Sequence, residues 1–128
     1  MTSNDSCKSE HLIDANQLAL VLEKFATDRN WSQFHSPKNL VMALTGEVGE
    51  LSEIFQWMNE ADSINAGQNP ATAQDVKDEL ADVLLYLVRL ASVLRVDLNE
   101  AVTNKIKANE LKYPVASSLG VSTKYNKK

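Results

Sequence analysis

The stretch that most constrains the fold runs from Ala43 to Trp57, ALTGEVGELSEIFQW, because acidic residues interrupt a hydrophobic helical pattern there. Hydrophobic residues recur every three or four positions, which predicts a helix that buries one face. This first stripe consists of Val41, Leu44, Val48, Leu51, Phe55 and Met58. A second stripe with the same spacing runs from Leu40 to Trp57 and contains Glu47 and Glu50. Since a carboxylate facing a core is costly when it stands alone, the pattern predicts a partner for both glutamates.

Helical periodicity and helix caps occur in four segments, and no segment is a convincing strand. Asp14, Ser36 and Asp97 each stand where a side chain caps the first turn of a helix. The predicted helices run from Asp14 to about Arg29, from Pro37 to about Glu60, from Thr72 to Leu94, and from Asp97 to Lys112. Four helices with short connections indicate an all-α four-helix bundle.

The length and composition indicate one domain. The 128 residues, 44% of them hydrophobic, are enough for a single core but too few for two comfortable ones. We interpret residues 1–12 as a flexible leader, 13–114 as a single helical domain, and 115–128 as a flexible tail without helical period.

Several classes of protein are disfavoured by composition. No uncharged apolar run is long enough to span a membrane, and the N-terminal residues do not have the pattern of a secretory signal. The only cysteine, Cys7, lies in the polar leader, which is typical of a reduced cytoplasmic protein. A net charge of −4 argues against duplex nucleic acid as the main partner. We therefore expect a cytoplasmic protein without a membrane or nucleic-acid partner.

Two predicted helices each carry two acids spaced three residues apart, Glu47 and Glu50 on one and Glu79 and Asp82 on the other. Either pair alone is weak evidence, because most such pairs lie on solvated faces. Both pairs, however, interrupt otherwise apolar stripes, and a bundle would bring them together, where four carboxylates repel one another. All-oxygen ligands suit Mg²⁺ or Mn²⁺. A di-iron site is disfavoured, because neither histidine stands three residues after a glutamate.

Gly46 and Gly49 stand immediately before these two glutamates of the second helix. Each glycine costs about 1 kcal/mol against alanine in a helix interior, so each needs a reason. Close helix–helix packing and room for a ligand beside the carboxylates are equally good explanations.

Aromatic side chains flank the acidic segments and offer a surface for a nucleobase. Trp31, Trp57 and Tyr86 are candidates for stacking, with ordinary core packing as the alternative. His35 and Asn39 are candidates for hydrogen bonds to base edges, although a histidine beside a helix cap is often structural. Mg²⁺ held by protein carboxylates usually completes its shell with water and substrate phosphates. Hydrolysis at phosphorus is therefore the reaction that this pattern favours.

Two motifs, GEVGELSEIFQW and DELADVLLYLVRLA, resemble those of the all-α nucleoside triphosphate pyrophosphohydrolases of the MazG-like group. RNWSQFHSPKNL and NKIKANELKYP further resemble the dCTP pyrophosphatase branch, and the likeness covers about residues 15–114. The resemblance implies Mg²⁺-dependent cleavage between the α and β phosphates, which gives a nucleoside monophosphate and pyrophosphate. It also implies metal ligands at Glu47, Glu50, Glu79 and Asp82.

The resemblance also implies a base pocket and phosphate contacts. The positions that match the base pocket are Trp31, His35, Trp57, Tyr86 and Asn109, and those near the phosphates are Lys38 and Lys105. The usual motif begins with paired glutamates, whereas this sequence has Gly46 in the first position, so a third ligand from this helix is in doubt, with Glu53 or a water as the candidate replacement. Family members assemble as dimers or tetramers, so a homo-oligomer is expected.

Together these patterns predict a Mg²⁺-dependent (deoxy)nucleoside triphosphate pyrophosphohydrolase that prefers dCTP and cleanses the nucleotide pool. Glu47 or Glu50 is the expected general base, and the sequence does not distinguish them. The alternative is a non-catalytic helical module that binds a nucleotide or a partner helix and uses the acids as a structural metal site.

Overall fold

The computed structural model describes residues 13–122, and all regular secondary structure within that range is helical. The helices are α1 (Ala15–Asp28), α2 (Pro37–Phe55), α3 (Glu60–Ile64), α4 (Ala73–Leu94), α5 (Leu98–Lys112) and α6 (Val115–Ser118), with a 3₁₀ turn at Ser32–Phe34. The predicted all-α class is confirmed. The predicted flexible leader and residues 123–128 of the predicted tail lie outside the described residues. Within that tail, α6 is a short helix that the sequence pattern did not predict.

Three helix starts are capped as the sequence predicts. The carboxylate of Asp14 accepts a hydrogen bond from the backbone N–H of Gln17 at 3.0 Å. The hydroxyl of Ser36 accepts one from the N–H of Asn39 at 3.1 Å, ahead of the proline at the first position of α2. Asp97 likewise accepts from Glu100 at 3.1 Å.

The chain divides at Val96 into two compact units, one ending at Val96 and one beginning at Asp97. In the first unit, α4 packs against α2 and, less extensively, against α1. Helix α4 contributes the buried apolar residues Val76, Val88 and Ala91, as its nearly continuous apolar sequence predicts. None of the helical residues described in the second unit is buried. The single domain proposed for 13–114 therefore stays a prediction.

Helix α2 ends at Phe55, so the prediction that it runs to about Glu60 is wrong. The physical reason is a competing helix start, because the side chain of Asn59 accepts from the N–H of Asp62 at 2.8 Å and begins α3. The connection predicted for residues 61–71 thus begins inside a short helix. Trp57 falls between α2 and α3, and 89% of its surface is exposed.

The two stripes of α2 are buried to different extents. Leu40, on the stripe that contains the glutamates, is 2% exposed, whereas Val41 and Val48 of the fully apolar stripe are 44% and 47% exposed. Helix α2 turns its acidic seam towards α4, and two members of the first stripe reach solvent. No helix among residues 13–122 has the length and apolarity to cross a membrane.

Candidate active site

Three glutamates from α2 and α4 form a cluster, here called the acid cluster: Glu47, Glu50 and Glu79. Each offers a carboxylate oxygen, and these oxygens lie within 4.8 Å of one another. Glu47 and Glu50 share a face of α2 because they are three residues apart, and the contact between α2 and α4 brings Glu79 to them. The predicted convergence of acids from two helices is confirmed for these three residues.

While the carboxyls are ionised, two oxygens of the acid cluster are buried without a hydrogen-bond partner among the described residues, namely Oε2 of Glu47 and Oε2 of Glu79. A buried polar atom without a partner costs about 1–3 kcal/mol, and more if it is charged. The third member, Glu50, is exposed and brings a further negative charge. The donor set is all oxygen and negatively charged, so these residues fit a hard divalent cation.

The cluster also raises the affinity of its members for protons. A hydrogen bond between Glu79 and Glu47 requires that one of the two carboxyls holds a proton, and this bond raises the pKa of Glu79 to about 7, with burial and the nearby Glu50 adding to the effect. The same hydrogen bond lowers the pKa of Glu47, but burial and the charges of Glu50 and Asp82 outweigh it, so the pKa of Glu47 lies above its ordinary value. Without a cation, the pair therefore holds a proton in common near neutral pH.

Asp82 lies one helical turn beyond Glu79 on α4, but its carboxylate is not part of the acid cluster. Its charge nonetheless acts on Glu47, and its side chain lines a neighbouring pocket. Asp82 thus lies where the cluster and the pocket meet. Its role as a fourth metal ligand stays a prediction.

This neighbouring space, here called the aromatic pocket, has a volume of about 170 Å³. Four residues singled out from the sequence line it: Trp31, His35, Asp82 and Tyr86. The remaining walls are Leu22, Phe25, Leu85 and Arg89. Sites for drug-sized ligands usually measure about 300–1,000 Å³, so this pocket suits a single ring system rather than a whole nucleotide.

The ring of Trp31 is held by its neighbours. It packs edge to face against Phe25, with ring centroids 5.7 Å apart, and the guanidinium of Arg29 lies 3.6 Å from the centre of the Phe25 ring. Trp31 is nevertheless 44% exposed, so part of its surface is available to a ligand. Core packing alone therefore does not account for the exposed part of the Trp31 ring.

Two charged residues that the sequence did not assign to the site lie beside His35. The guanidinium of Arg89 donates through Nη1 to Glu23 and through Nε to Nδ1 of His35, the latter at 3.0 Å. Arg89 is only 5% exposed. The available signal was an arginine inside an apolar helix, but neither partner is near it in sequence, so the pairing was not predictable.

Other predicted substrate-binding residues in the first unit do not line the aromatic pocket. Lys38 is exposed on the first turn of α2. The side-chain amide of Asn39 donates to the backbone carbonyl of Phe34 at 3.0 Å and so stabilises the turn before α2. Trp57 is exposed between α2 and α3. Substrate binding by these three residues stays a prediction.

Lys105 and Asn109 lie one turn apart on α5 in the second unit, and both are exposed. Their predicted roles near the phosphates and the base stay predictions.

The glycines of α2 do not serve close packing within the described residues. A Cβ atom added at Gly46 or Gly49 would meet nothing within 4 Å. Of the two explanations drawn from the sequence, close helix packing is therefore not supported within this chain. Both glycines are exposed, and room for a ligand stays a prediction.

The sequence also matches the model of a known protein family, over a region that includes the acid cluster. The model of the MazG-like family matches residues 43–127, and the chain therefore belongs to the MazG-like family.

Individual relatives agree with this membership. The chain is 47% identical to dCTP pyrophosphatase 1 of Rattus norvegicus and 46% identical to that of Homo sapiens, each over 102 residues. These matches cover 80% of this chain but only 60% of each relative. The fold is similar to the crystal structure of a pyrophosphatase from Archaeoglobus fulgidus, with a TM-score of 0.72 and 37% sequence identity. The match covers 81% of this chain and 95% of that one.

Proposed function

We propose that this protein hydrolyses (deoxy)nucleoside triphosphates, with a preference for dCTP, to the nucleoside monophosphate and pyrophosphate. The observation that carries the proposal is the acid cluster with its unpartnered buried oxygens beside an aromatic pocket. The names of the relatives, dCTP pyrophosphatase 1 and pyrophosphatase, support the same reaction. The proposed role is cleansing of the cytoplasmic nucleotide pool.

The acid cluster is the proposed place of the phosphates. Glu47, Glu50, Glu79 and Asp82 would hold Mg²⁺, or Mn²⁺ as a substitute, which supplies Lewis acidity and positive charge for phosphoryl chemistry. A water oxygen forms a bond to the α-phosphorus, and the bond from that phosphorus to the bridging oxygen breaks. Pyrophosphate leaves with that oxygen. Glu47 or Glu50 takes the proton of the water, since both carboxylates belong to the cluster.

The aromatic pocket is the proposed place of the base. Trp31 and Tyr86 offer ring faces for stacking, which tolerates any base, so preference for one base requires hydrogen bonds. His35 is the polar ring in the same wall. Asn39, Trp57 and Asn109 are further proposed base contacts, and Lys38 and Lys105 are proposed phosphate contacts.

We also propose that the chain forms a homo-oligomer, a dimer or tetramer, in which the helices complete four-helix packing. Val41 and Val48 of α2 are exposed, as are Val102 and Ile106 of α5, each by 44–53%. Apolar helix faces of this kind need a covering surface. Light scattering should give a mass of at least two chains, and Val48→Glu should lower it. A monomeric mass for the unmodified protein would refute this part.

The activity is tested with a panel of dCTP, dTTP, dATP and modified cytosine triphosphates in Mg²⁺. Nucleoside monophosphate and pyrophosphate are the expected products, with the highest kcat/KM for dCTP. Nucleoside diphosphate and phosphate would refute the reaction type. No turnover with any triphosphate would refute the enzyme and favour the non-catalytic binding module.

A matched variant ties the activity to the cluster. Glu50→Gln keeps the size of the side chain and should abolish turnover, while the far-ultraviolet circular dichroism stays near that of the wild type. Glu60→Gln, an exposed glutamate of α3 outside the acid cluster, is the control. Retained activity in Glu50→Gln would remove Glu50 from the site.

A further inference from the structure

A buried arginine lies in the wall of the aromatic pocket, and the proposed reaction gives it no task. Arg89 of α4 is 5% exposed, donates to Glu23 of α1, and donates to His35 in the segment after the 3₁₀ turn. These three residues are here called the arginine network. They come from three separate segments, so the network fixes those segments relative to one another around the pocket.

The hydrogen bond from Arg89 determines which nitrogen of His35 carries a proton. Arginine stays protonated in proteins and its Nε–H is a donor without acceptor capacity. Nδ1 of His35, 3.0 Å away, must therefore accept with its lone pair. A neutral imidazole whose Nδ1 accepts carries its proton on Nε2. The ring nitrogen left for an occupant of the pocket is thus a donor.

The surrounding charges favour the neutral ring. Burial lowers the pKa of His35, the positive charge of Arg89 lowers it further, and the negative charge of Glu23 partly opposes both effects. Asp82 and Tyr86 are the other ionisable groups that line the pocket. An imidazolium would also need a proton on Nδ1, where the guanidinium already points its own.

Glu23 makes the burial of Arg89 tolerable. A buried cation without a partner is strongly destabilising. Here Glu23 accepts a hydrogen bond from Nη1 of Arg89 and balances its charge. The bond to Nη1 and the bond from Nε use two donors of one planar group, so the plane of the guanidinium is held at two points. A lysine has a single ammonium and does not reproduce this planar fork.

We propose that Arg89 and Glu23 are positioning residues that fix His35 as a hydrogen-bond donor, through its Nε2–H, to an acceptor atom on the base of a bound nucleotide. The ligand class is a base that presents a carbonyl oxygen or an unprotonated ring nitrogen, such as the O2 and N3 edge of cytosine. A base that presents an N–H there is disfavoured, because two donors face each other in a partly dry pocket. The identity of the ligand rests on the proposed function, whereas the state of the histidine does not.

The first test observes the histidine in the nucleotide-free protein. Long-range ¹H–¹⁵N spectra distinguish the two neutral tautomers and the imidazolium, and His35→Gln assigns the signals against His11, the only other histidine. The wild type should show Nε2–H for His35. Arg89→Met should give a mixture of tautomers and raise the pKa of His35, whereas Glu23→Gln should lower it. Arg95→Met, an exposed change near the end of the same helix, should change nothing.

Three spectroscopic results would overturn the proposal: an Nδ1–H tautomer in the wild type, an unchanged tautomer in Arg89→Met, or pKa changes of the same sign in both variants. Thermal melts establish which variants fold. If Arg89→Met does not fold, Glu23→Gln carries the test, because the Glu23 side chain is 54% exposed and its replacement by an isostere leaves the core intact.

The second test measures what the donor does. Deoxycytidine monophosphate is titrated into each variant, and Arg89→Met should weaken its binding about fivefold to tenfold, the worth of one hydrogen bond. With dCTP, the same variant should raise KM by that factor and leave kcat within about twofold. Arg89→Lys should not restore either value. Unchanged binding in Arg89→Met, or full rescue by lysine, would overturn the proposal. Lack of turnover in a wild type that shows the Nε2–H tautomer would refute the proposed function alone.

Discussion

The acid cluster and the arginine network each include a residue of helix α4, but the charges in the two sites are balanced differently. In the acid cluster three carboxylates lie together, and two buried oxygens have no partner among the described residues. In the arginine network a buried cation has an anion on one side and a ring nitrogen on the other. The ionised first site has no positive group to balance its charge and must share a proton or accept a cation, whereas the second has both charges in place. This difference agrees with the roles proposed for them, a metal site for the acid cluster and a positioning role for the arginine network.

The largest expected difference between the two sites is in catalysis. Glu79→Gln should reduce kcat/KM at least about 100-fold, because it removes a charged group from the proposed metal site, where even outer-shell changes cost roughly 10–100-fold. The arginine variants should stay within about tenfold of the wild type. Steady-state kinetics with dCTP and saturating Mg²⁺ measure both. A loss below tenfold in Glu79→Gln would contradict the division between the sites.

Metal binding gives the next largest expected effect. A ligand at 100 times its Kd stabilises the folded state by about 2.7 kcal/mol, which corresponds to a rise in Tm of roughly 10 °C for a domain of this size. Mg²⁺ should raise the Tm of the wild type and of Arg89→Met alike, and a chelator should reverse the rise. Glu79→Gln should show little of it. A rise that persists in Glu79→Gln would place the cation elsewhere.

The third comparison concerns stability without metal. Glu79→Gln should increase the free energy of unfolding, because it removes one of several like charges. Glu23→Gln should decrease it by about 2 kcal/mol, less than the loss for a fully buried pair because Glu23 is half exposed. Urea unfolding in the presence of a chelator measures both changes. If both variants changed the free energy of unfolding in the same direction, the proposed difference in charge balance between the two sites would be wrong.

The last comparison concerns the pH dependence of the free energy of unfolding. The pKa of Glu79 is about 7 in the folded protein and its ordinary value is 4.5, so the folded state binds more protons between these values. Stability without metal should therefore fall as the pH rises from about 4.5 to about 7. Glu23 acts in the reverse sense, because its bond to Arg89 lowers its pKa and that stabilisation is lost as the pH falls below about 4.5. Mg²⁺ or Glu79→Gln should reduce the fall in stability between about pH 4.5 and 7. A fall that persists under both conditions would contradict its assignment to Glu79.

Local signals predicted much of the fold. The caps at Asp14, Ser36 and Asp97 were predictable because a cap depends on residues only three positions apart. The end of α2 at Phe55 was not, because apolar periodicity continues to Met58 while Asn59 starts a new helix. Apolar periodicity predicts which face of a helix is buried. It does not predict where one helix ends when a cap for the next helix lies within the same pattern.

Part of the site was predictable for a different reason. Acids that interrupt apolar stripes on two helices indicated that Glu47, Glu50 and Glu79 would meet. The pairing of Arg89 with Glu23 was not predictable, since 66 residues separate them and Glu23 resembles any surface glutamate in sequence. A sequence shows an unusual residue readily when its surroundings are regular, but it does not show the distant partner that makes the residue tolerable.

Helix α4 runs without interruption from Ala73 to Leu94 and carries Glu79 at one site and Arg89 at the other. Ten residues of α-helix span about 15 Å, and a continuous helix bends little over that length. The distance from Glu79, at the proposed phosphate end, to Arg89, which holds His35 at the proposed base end, is thus set by the helical rise of α4. For the proposed reaction, this rigid spacing would make the distance between the base and the phosphates of a substrate a basis for selection. A residue inserted between Glu79 and Arg89 would lengthen this spacing by about 1.5 Å and rotate one end by about 100° relative to the other.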